Sequence, residues 1–313
     1  HGGALELRFL TWLYWHAGIN TNSELKKDPA VALALEDVDT RDLLNNMPIK
    51  RGMTPLALAS SYERRAFDIL TKADYSELWK DPSVNFQLYW DQFADVPTVF
   101  SSAWYDSYTR ANLENYVGLS QRKKGPYRLI MGPWTHGDLT MGYSHSGGVD
   151  LGSEAPFDYN YERLRWFDRW LKNVDTGVDG DPPVRIFVMG GGDGSKNSDG
   201  RLAHGGHWRT EQEWPVSRAK PISYYLHADG SLRTEPPRGL AVSTTYRFDP
   251  GDPVPTIGGN VSSLATLRPV PSYMADPSTL PQAMRVEQIV IAGGWDQRER
   301  EDLFGAKPPY NMP

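Results

Sequence analysis

Met131-Gly132-Pro133-Trp134-Thr135-His136-Gly137 is the stretch on which the reading of this chain turns. It follows Tyr127-Arg128-Leu129-Ile130, a short apolar run bounded by turn residues, which reads as a buried strand. Gly132 and Pro133 are expected to stop that strand and leave His136 in a Gly-flanked turn. A histidine at the end of a core strand is suited to proton transfer, because the strand fixes its position and the loop exposes its ring. A histidine in such a place can equally do no more than cap a turn. The surrounding sequence decides between the two.

A second strand with the same kind of ending lies upstream. Val96-Pro97-Thr98-Val99-Phe100-Ser101-Ser102-Ala103 is apolar and β-prone, and it runs into Trp104-Tyr105-Asp106. The segment 107–117 then places Leu113, Tyr116 and Val117 on one helical face. Strand, helix and strand over this distance make a βαβ unit with two parallel neighbours. Their carboxyl ends share one rim, where open α/β sheets bind ligands, and Asp106 and His136 both fall on it. An aspartate that holds a histidine in one tautomer is two thirds of a Ser-His-Asp triad.

Gly132-Pro133-Trp134-Thr135-His136-Gly137 together with Trp104-Tyr105-Asp106 resembles the cocaine esterase and X-prolyl dipeptidyl aminopeptidase family of α/β-hydrolases, with the α-amino acid ester hydrolases as close relatives. The likeness continues through Phe157 and the Trp-rich helix to Pro182-Pro183-Val184-Arg185. It resumes at Trp214-Pro215, at Phe248-Asp249-Pro250 with Asp252-Pro253-Val254-Pro255-Thr256, and at Asp296-Gln297-Arg298. The resemblance implies an α/β-hydrolase core, of which this chain carries the second half of the sheet, in residues 1–19 and 93–180. It also implies a helical cap over 20–92 and a partial C-terminal jelly-roll β-sandwich over 181–313. Asp106 and His136 are the implied catalytic pair, and Tyr108 and Trp15 are candidates for substrate contact.

Length and composition agree with a chain of this kind. A chain of 313 residues can bury sizeable cores in two or three domains. With 39% hydrophobic and 23% charged residues it reads as globular. The net charge of −6 and the lack of any basic stretch argue against nucleic acid as a partner. No apolar run approaches the roughly 20 residues of a membrane span. With no cysteine, disulfides and thiolate metal sites are excluded. No cofactor is expected. The partners expected are a small ester, amide or short-peptide substrate, and a homo-oligomer is compatible with the sequence.

The nucleophile is the missing third of the triad. His1-Gly2-Gly3 runs at once into the strong helix formers Ala4-Leu5-Glu6-Leu7. In α/β-hydrolases the serine sits on a tight turn between a strand and such a helix. A serine before His1 would give Ser-His-Gly-Gly, so the expectation is that the nucleophile immediately precedes residue 1. The His1 backbone N–H would then serve the oxyanion hole. These 313 residues alone are accordingly expected to have no appreciable hydrolase activity. Ser144 and Ser146 lack the glycine spacing of an elbow and read as a surface loop.

The rest of the chain reads as scaffold. Asp28-Pro29 opens one candidate helix and Pro55 another, with 62–70 continuing the second or standing apart. Residues 74–79 form a short one. Trp12, Trp15, Trp79 and Trp90 are candidates to line the cap, although buried aromatics are more often simply core. In 161–172, Leu164, Phe167 and Leu171 share a face that should pack on the sheet, with Arg and Lys outward. Asp168 shows no sign of a catalytic part. Beyond Asp181, short β-prone runs at 184–189, 222–226, 244–248 and 284–291 alternate with Gly and Pro turns, the texture of a sandwich.

Two further groups carry residue types that a site could use. His204-Gly205-Gly206-His207, with Asp193 or Asp199, has a zinc-like spacing, but its loop composition argues against metal. Glu114, Asp138 and Asp158 lie near the triad in sequence and read as solvated carboxylates rather than receptors for a substrate ammonium. The competing functional reading is a non-catalytic ligand- or carbohydrate-binding β-module attached to a degenerate hydrolase remnant.

Overall fold

The central element is β2, Tyr127–Thr135, of which every residue but the last is buried. A strand this apolar needs cover on both faces, which is the condition of an inner parallel strand. A computed structural model of the chain places β1, Thr98–Tyr105, parallel to β2 on one side, and β5, Val184–Met189, parallel to it on the other. β7, Gly206–Glu211, runs antiparallel to β5 and completes a four-stranded sheet in the order β1-β2-β5-β7. The structure describes residues 48–136, 141–239, 258–260 and 292–298, together with Leu13, Ala30, Val31, Leu35 and positions 243, 245, 247 and 249. His1, Trp12, Trp15, Asp138 and the strand expected at 284–291 lie outside the described residues.

The β1–α2–β2 unit forms as the sequence predicts, with α2 spanning Thr109–Ser120. Leu113, Tyr116, Val117 and Leu119 of α2 meet Phe100, Leu129, Met131, Val184 and Ile186 on one face of the sheet. Trp90 packs into the same core. Its indole nitrogen donates to Asn115 Oδ1 at 2.9 Å, and its ring lies so close to Gly118 that an added Cβ would meet it at 2.3 Å. Trp90 is therefore core, and the Trp79 indole donates to Lys72 O at 2.6 Å. Upstream, Pro55–Leu58 is a 3-10 turn, and α1, Ser60–Thr71, stands apart from it behind Ala59. Leu56, Ala59 and Ala66 close a small core with Leu13 and Leu35.

The opposite face departs from expectation. α3, Tyr159–Lys172, is capped by Asp158, whose carboxylate accepts from Tyr161 N, and ends on Asn173 in the left-handed region at φ 56°. Leu164, Phe167 and Leu171, expected against the sheet, are more than half exposed, and Trp166 is the buried residue. The reason lies in the strands. Arg128 follows Tyr127 at the start of β2, and Arg185 pairs in register with Ile130. The helix answers these cations with Glu162, which lies 3.7 Å from Arg128 and 3.5 Å from Arg185. Buried charge needs a partner more than exposed leucine needs cover. Asp168 pairs with Lys172 at 2.7 Å, a surface contact.

Two corrections concern the later strands. The run 184–189 is β5 of the parallel sheet, so the change of texture at 181–183 does not coincide with a break in that sheet. Ser146 belongs to β3, His145–Ser146, and is buried, with its hydroxyl donating to Pro133 O at 2.6 Å. A three-stranded sheet joins β3, β4 (Val149–Asp150) and β6 (Leu202–Ala203), and an exposed hairpin pairs β8 (Tyr225–Leu226) with β9 (Leu232–Arg233). Asp296 ties this region together. It pairs with Arg298 at 2.9 Å and Lys196 at 3.3 Å, and Arg298 reaches Gly194 O. Those cations hold its carboxyl far below the usual range, the Arg298 hydrogen bond first.

The start of β2 carries a pH-dependent lock. The Tyr127 hydroxyl donates to Asp95 Oδ1 at 2.9 Å, beside donations from Gly125 N and Lys124 N. Burial first, and then that carboxylate, push the phenol up to about 12. A phenol held above its unfolded value of about 10 stabilises the fold below that pH and loses the contribution as pH rises towards 12. Urea unfolding of the chain at about pH 9 and 11 should therefore show a steeper loss of stability than Tyr127→Phe shows. An equal loss in both proteins would mean that the phenol is not linked to folding.

Candidate active site

β1 and β2 set the site through their register. Thr98 pairs with Tyr127 and Ala103 with Gly132, but Tyr105 pairs with Thr135. Two steps along β1 are matched by three along β2, which is a bulge with its extra residue on β2. Pro133 lies inside it, and proline has no N–H for the ladder. Continued without the bulge, the register would set Asp106 level with Thr135. With it, the residues after Tyr105 and Thr135 are Asp106 and His136, side by side at the carboxyl rim.

The side chains meet there. His136 Nδ1 lies 3.0 Å from Asp106 Oδ2. The other carboxylate oxygen, Oδ1, accepts from Tyr108 N at 2.8 Å. The Asp106 side chain is 11% exposed and that of His136 39%, so the carboxylate is enclosed while the imidazole is open to a substrate. Both backbone groups of Asp106 are also held. Its N–H donates to Ala103 O at 3.2 Å, and its carbonyl accepts from Thr109 Oγ1 at 2.5 Å. The start of α2 thus clamps the aspartate, and the aspartate aligns the ring.

The shell around the pair is aromatic. The Tyr108 ring centroid is 5.3 Å from that of His136. Tyr108 therefore stands beside the imidazole. Trp134 is buried and stacks on Phe157 at 5.5 Å. Its indole folds back over Gly132, where a Cβ would fall 1.9 Å from the ring. Trp104 donates to Phe187 O at 2.7 Å and so braces the end of β1 against β5. The Gly132-Pro133-Trp134 string, expected to end the strand, continues it through a bulge and packs its last turn. Ser146 supports the same turn through its bond to Pro133 O. Pro133, which lacks an N–H for the ladder, is a signal that fits a bulge as well as a strand end; the Ser146 contact has no sequence signal.

Other candidates fall elsewhere. Glu114 pairs with Arg110 at 2.7 Å and accepts from Gln87 Nε2. Asp158 is the helix cap already described. The backbone N–H of His204 donates to Asp150 O, and among the described residues no three His, Cys, Asp or Glu side chains gather as a metal site. No described helix is long and apolar enough to cross a membrane. His1 and Trp15, expected at the oxyanion hole and the pocket, lie outside the described residues.

Comparison with known proteins adds a lineage to this geometry. The family described as X-Pro dipeptidyl-peptidase (S15 family) matches residues 1–138, and the X-Pro dipeptidyl-peptidase C-terminal non-catalytic domain matches residues 176–286. Cocaine esterase of Rhodococcus sp. is 27% identical over 274 residues, covering 83% of this chain and 44% of the esterase. A protein assigned as a serine esterase in Mycobacterium bovis, and one so assigned in Mycobacterium tuberculosis, are each 33% identical over 152 residues, or 48% of this chain and 21% of theirs. The chain thus spans less than half the length of these relatives. The His136 and Asp106 pair lies within the first matched segment, and the two matched segments together with the esterase relative support the cocaine esterase and X-Pro dipeptidyl-peptidase family for this chain.

Proposed function

We propose that this chain is the His- and Asp-bearing part of a serine hydrolase that cleaves an ester or amide. The observation that carries the reading is the 3.0 Å contact between His136 Nδ1 and Asp106 Oδ2 at the carboxyl rim of parallel strands. In this account the fold is the second half of an α/β-hydrolase sheet. Residues 20–92 form its helical cap, and the segments beyond the parallel sheet form part of a jelly roll. The nucleophile is a serine just upstream of His1-Gly2-Gly3, at the turn where that fold holds it.

The chemistry follows from the pair. The serine hydroxyl attacks the carbonyl carbon while His136 Nε2 takes its proton. Asp106 holds the Nδ1 proton, keeps Nε2 free as the base, and stabilises the imidazolium that forms. The tetrahedral oxyanion is received by backbone N–H groups, that of His1 among them. Collapse expels the alcohol or amine, which takes the proton back from His136, and water repeats the sequence on the acyl-enzyme. Tyr108 flanks the imidazole and contacts the acyl or leaving group. A degenerate binding module would have no need of an enclosed carboxylate aligned on an open histidine, which counts against that alternative.

Two expectations test this in the longer protein that carries the chain. Hydrolysis of a p-nitrophenyl ester should fall about 10⁶-fold in kcat with His136→Ala and about 10⁴-fold with Asp106→Asn, with the fold intact by circular dichroism. Turnover retained in His136→Ala would remove the base from the mechanism. For Tyr108→Ala, KM should rise more than kcat falls, as for a group that binds without entering the chemistry. An unchanged KM would place the ring outside the substrate site.

A further inference from the structure

A second polar site lies at the other end of the same strands. Arg128 follows the first residue of β2, and Arg185 follows the first residue of β5. Arg128 and His136 are eight positions apart along β2, roughly 25 Å at the rise of a strand. At this amino-terminal end the sheet face, α3 and β7 enclose a recess of about 300 Å³, lined by Arg128, Arg165, Arg185, Glu162, Asp181 and, at its edge, Thr210.

The charges in the recess do not balance. Asp181 Oδ2 is shared between Arg128 at 2.9 Å and Arg165 at 3.1 Å. Glu162 Oε2 takes Arg165 at 3.2 Å and lies 3.7 Å from Arg128. Arg185 meets Glu162 Oε1 at 3.5 Å, while Arg128 and Arg165 each also reach Asp181. The Arg185 guanidinium stacks on Trp208 at 4.8 Å and Phe157 at 5.0 Å. Among the described residues three guanidiniums thus face two carboxylates, an excess of one positive charge. The Arg128 side chain is only 9% exposed and that of Glu162 12%, while Arg185, at 32%, faces the opening of the recess. Burial leads the effects that push the Arg185 guanidinium below its usual value, and the neighbouring Arg128 and Arg165 charges act the same way. An uncompensated buried charge is costly, and an anion held within the recess relieves it.

We propose that this recess binds a small singly charged carboxylate, with the guanidinium of Arg185 as its principal partner. One negative charge matches the excess, and a planar carboxylate suits the fork of a guanidinium that aromatic rings hold in place. The volume is at the lower end of small-ligand pockets. The site stands apart from the His136 rim and does not depend on the hydrolase reading.

The test titrates the chain with sodium acetate against sodium chloride at equal ionic strength, following thermal unfolding and the saturation-transfer NMR signal of the acetate methyl group. Inorganic phosphate at the same ionic strength is the third arm. Acetate should stabilise saturably and beyond both other salts, because it binds only the folded chain. Thr210→Glu changes an exposed residue and brings a tethered carboxylate to the recess. It should weaken acetate binding at least about tenfold and remove the methyl signal, by occupying the charge that acetate would take. The proposal is overturned if acetate acts no more strongly than chloride. It is equally overturned if phosphate matches acetate, or if Thr210→Glu leaves the response intact.

Discussion

The parallel pairing of β1 with β2, shifted by one residue near its end, is the constraint on which the site depends. The pairing is long, from Thr98 and Tyr127 to Tyr105 and Thr135, and both faces of β2 are packed. Register in such a strand is firmly set, since a slip of one residue would turn every side chain to the wrong face. The bulge at Pro133 then moves the histidine one place back along β2, level with Asp106. A core therefore fixes the relative position of two polar groups at its rim. Trp134 over Gly132 and Ser146 on Pro133 hold the turn in which that adjustment is made.

Much of this was legible in the residues. The two apolar runs, the helical face between them, and a polar residue at the end of each strand were enough to bring Asp106 and His136 to one rim. What the residues did not disclose was how the rim is tuned. Pro133 read as a stop, because a proline after glycine usually ends a strand; here β2 runs on for two residues past it. Periodicity also failed for α3. Leu164, Phe167 and Leu171 make a helical stripe, yet Arg128 and Arg185 on the sheet require the acidic and cationic side of the helix instead. A hydrophobic pattern within one helix cannot report the charges of the strands beneath it.

The same reasoning explains why the two ends of β2 differ. At the carboxyl end one carboxylate meets one imidazole, and the imidazole is open. At the amino end the Tyr127–Asp95 lock and the arginine cluster are held among neighbours that fix them. The polar pair at the first end leaves one ring open, whereas the groups at the second end are tied to one another.

The central claim is that Asp106 fixes the His136 ring with its proton on Nδ1 and leaves Nε2 as the base. Nitrogen-15 NMR of the neutral imidazole measures this directly. The account predicts a protonated Nδ1 and an unprotonated Nε2 in the native chain, with the preference lost in Asp106→Ala. A proton found on Nε2 in the native chain would contradict it, because the only ring nitrogen available to a nucleophile would then be a donor.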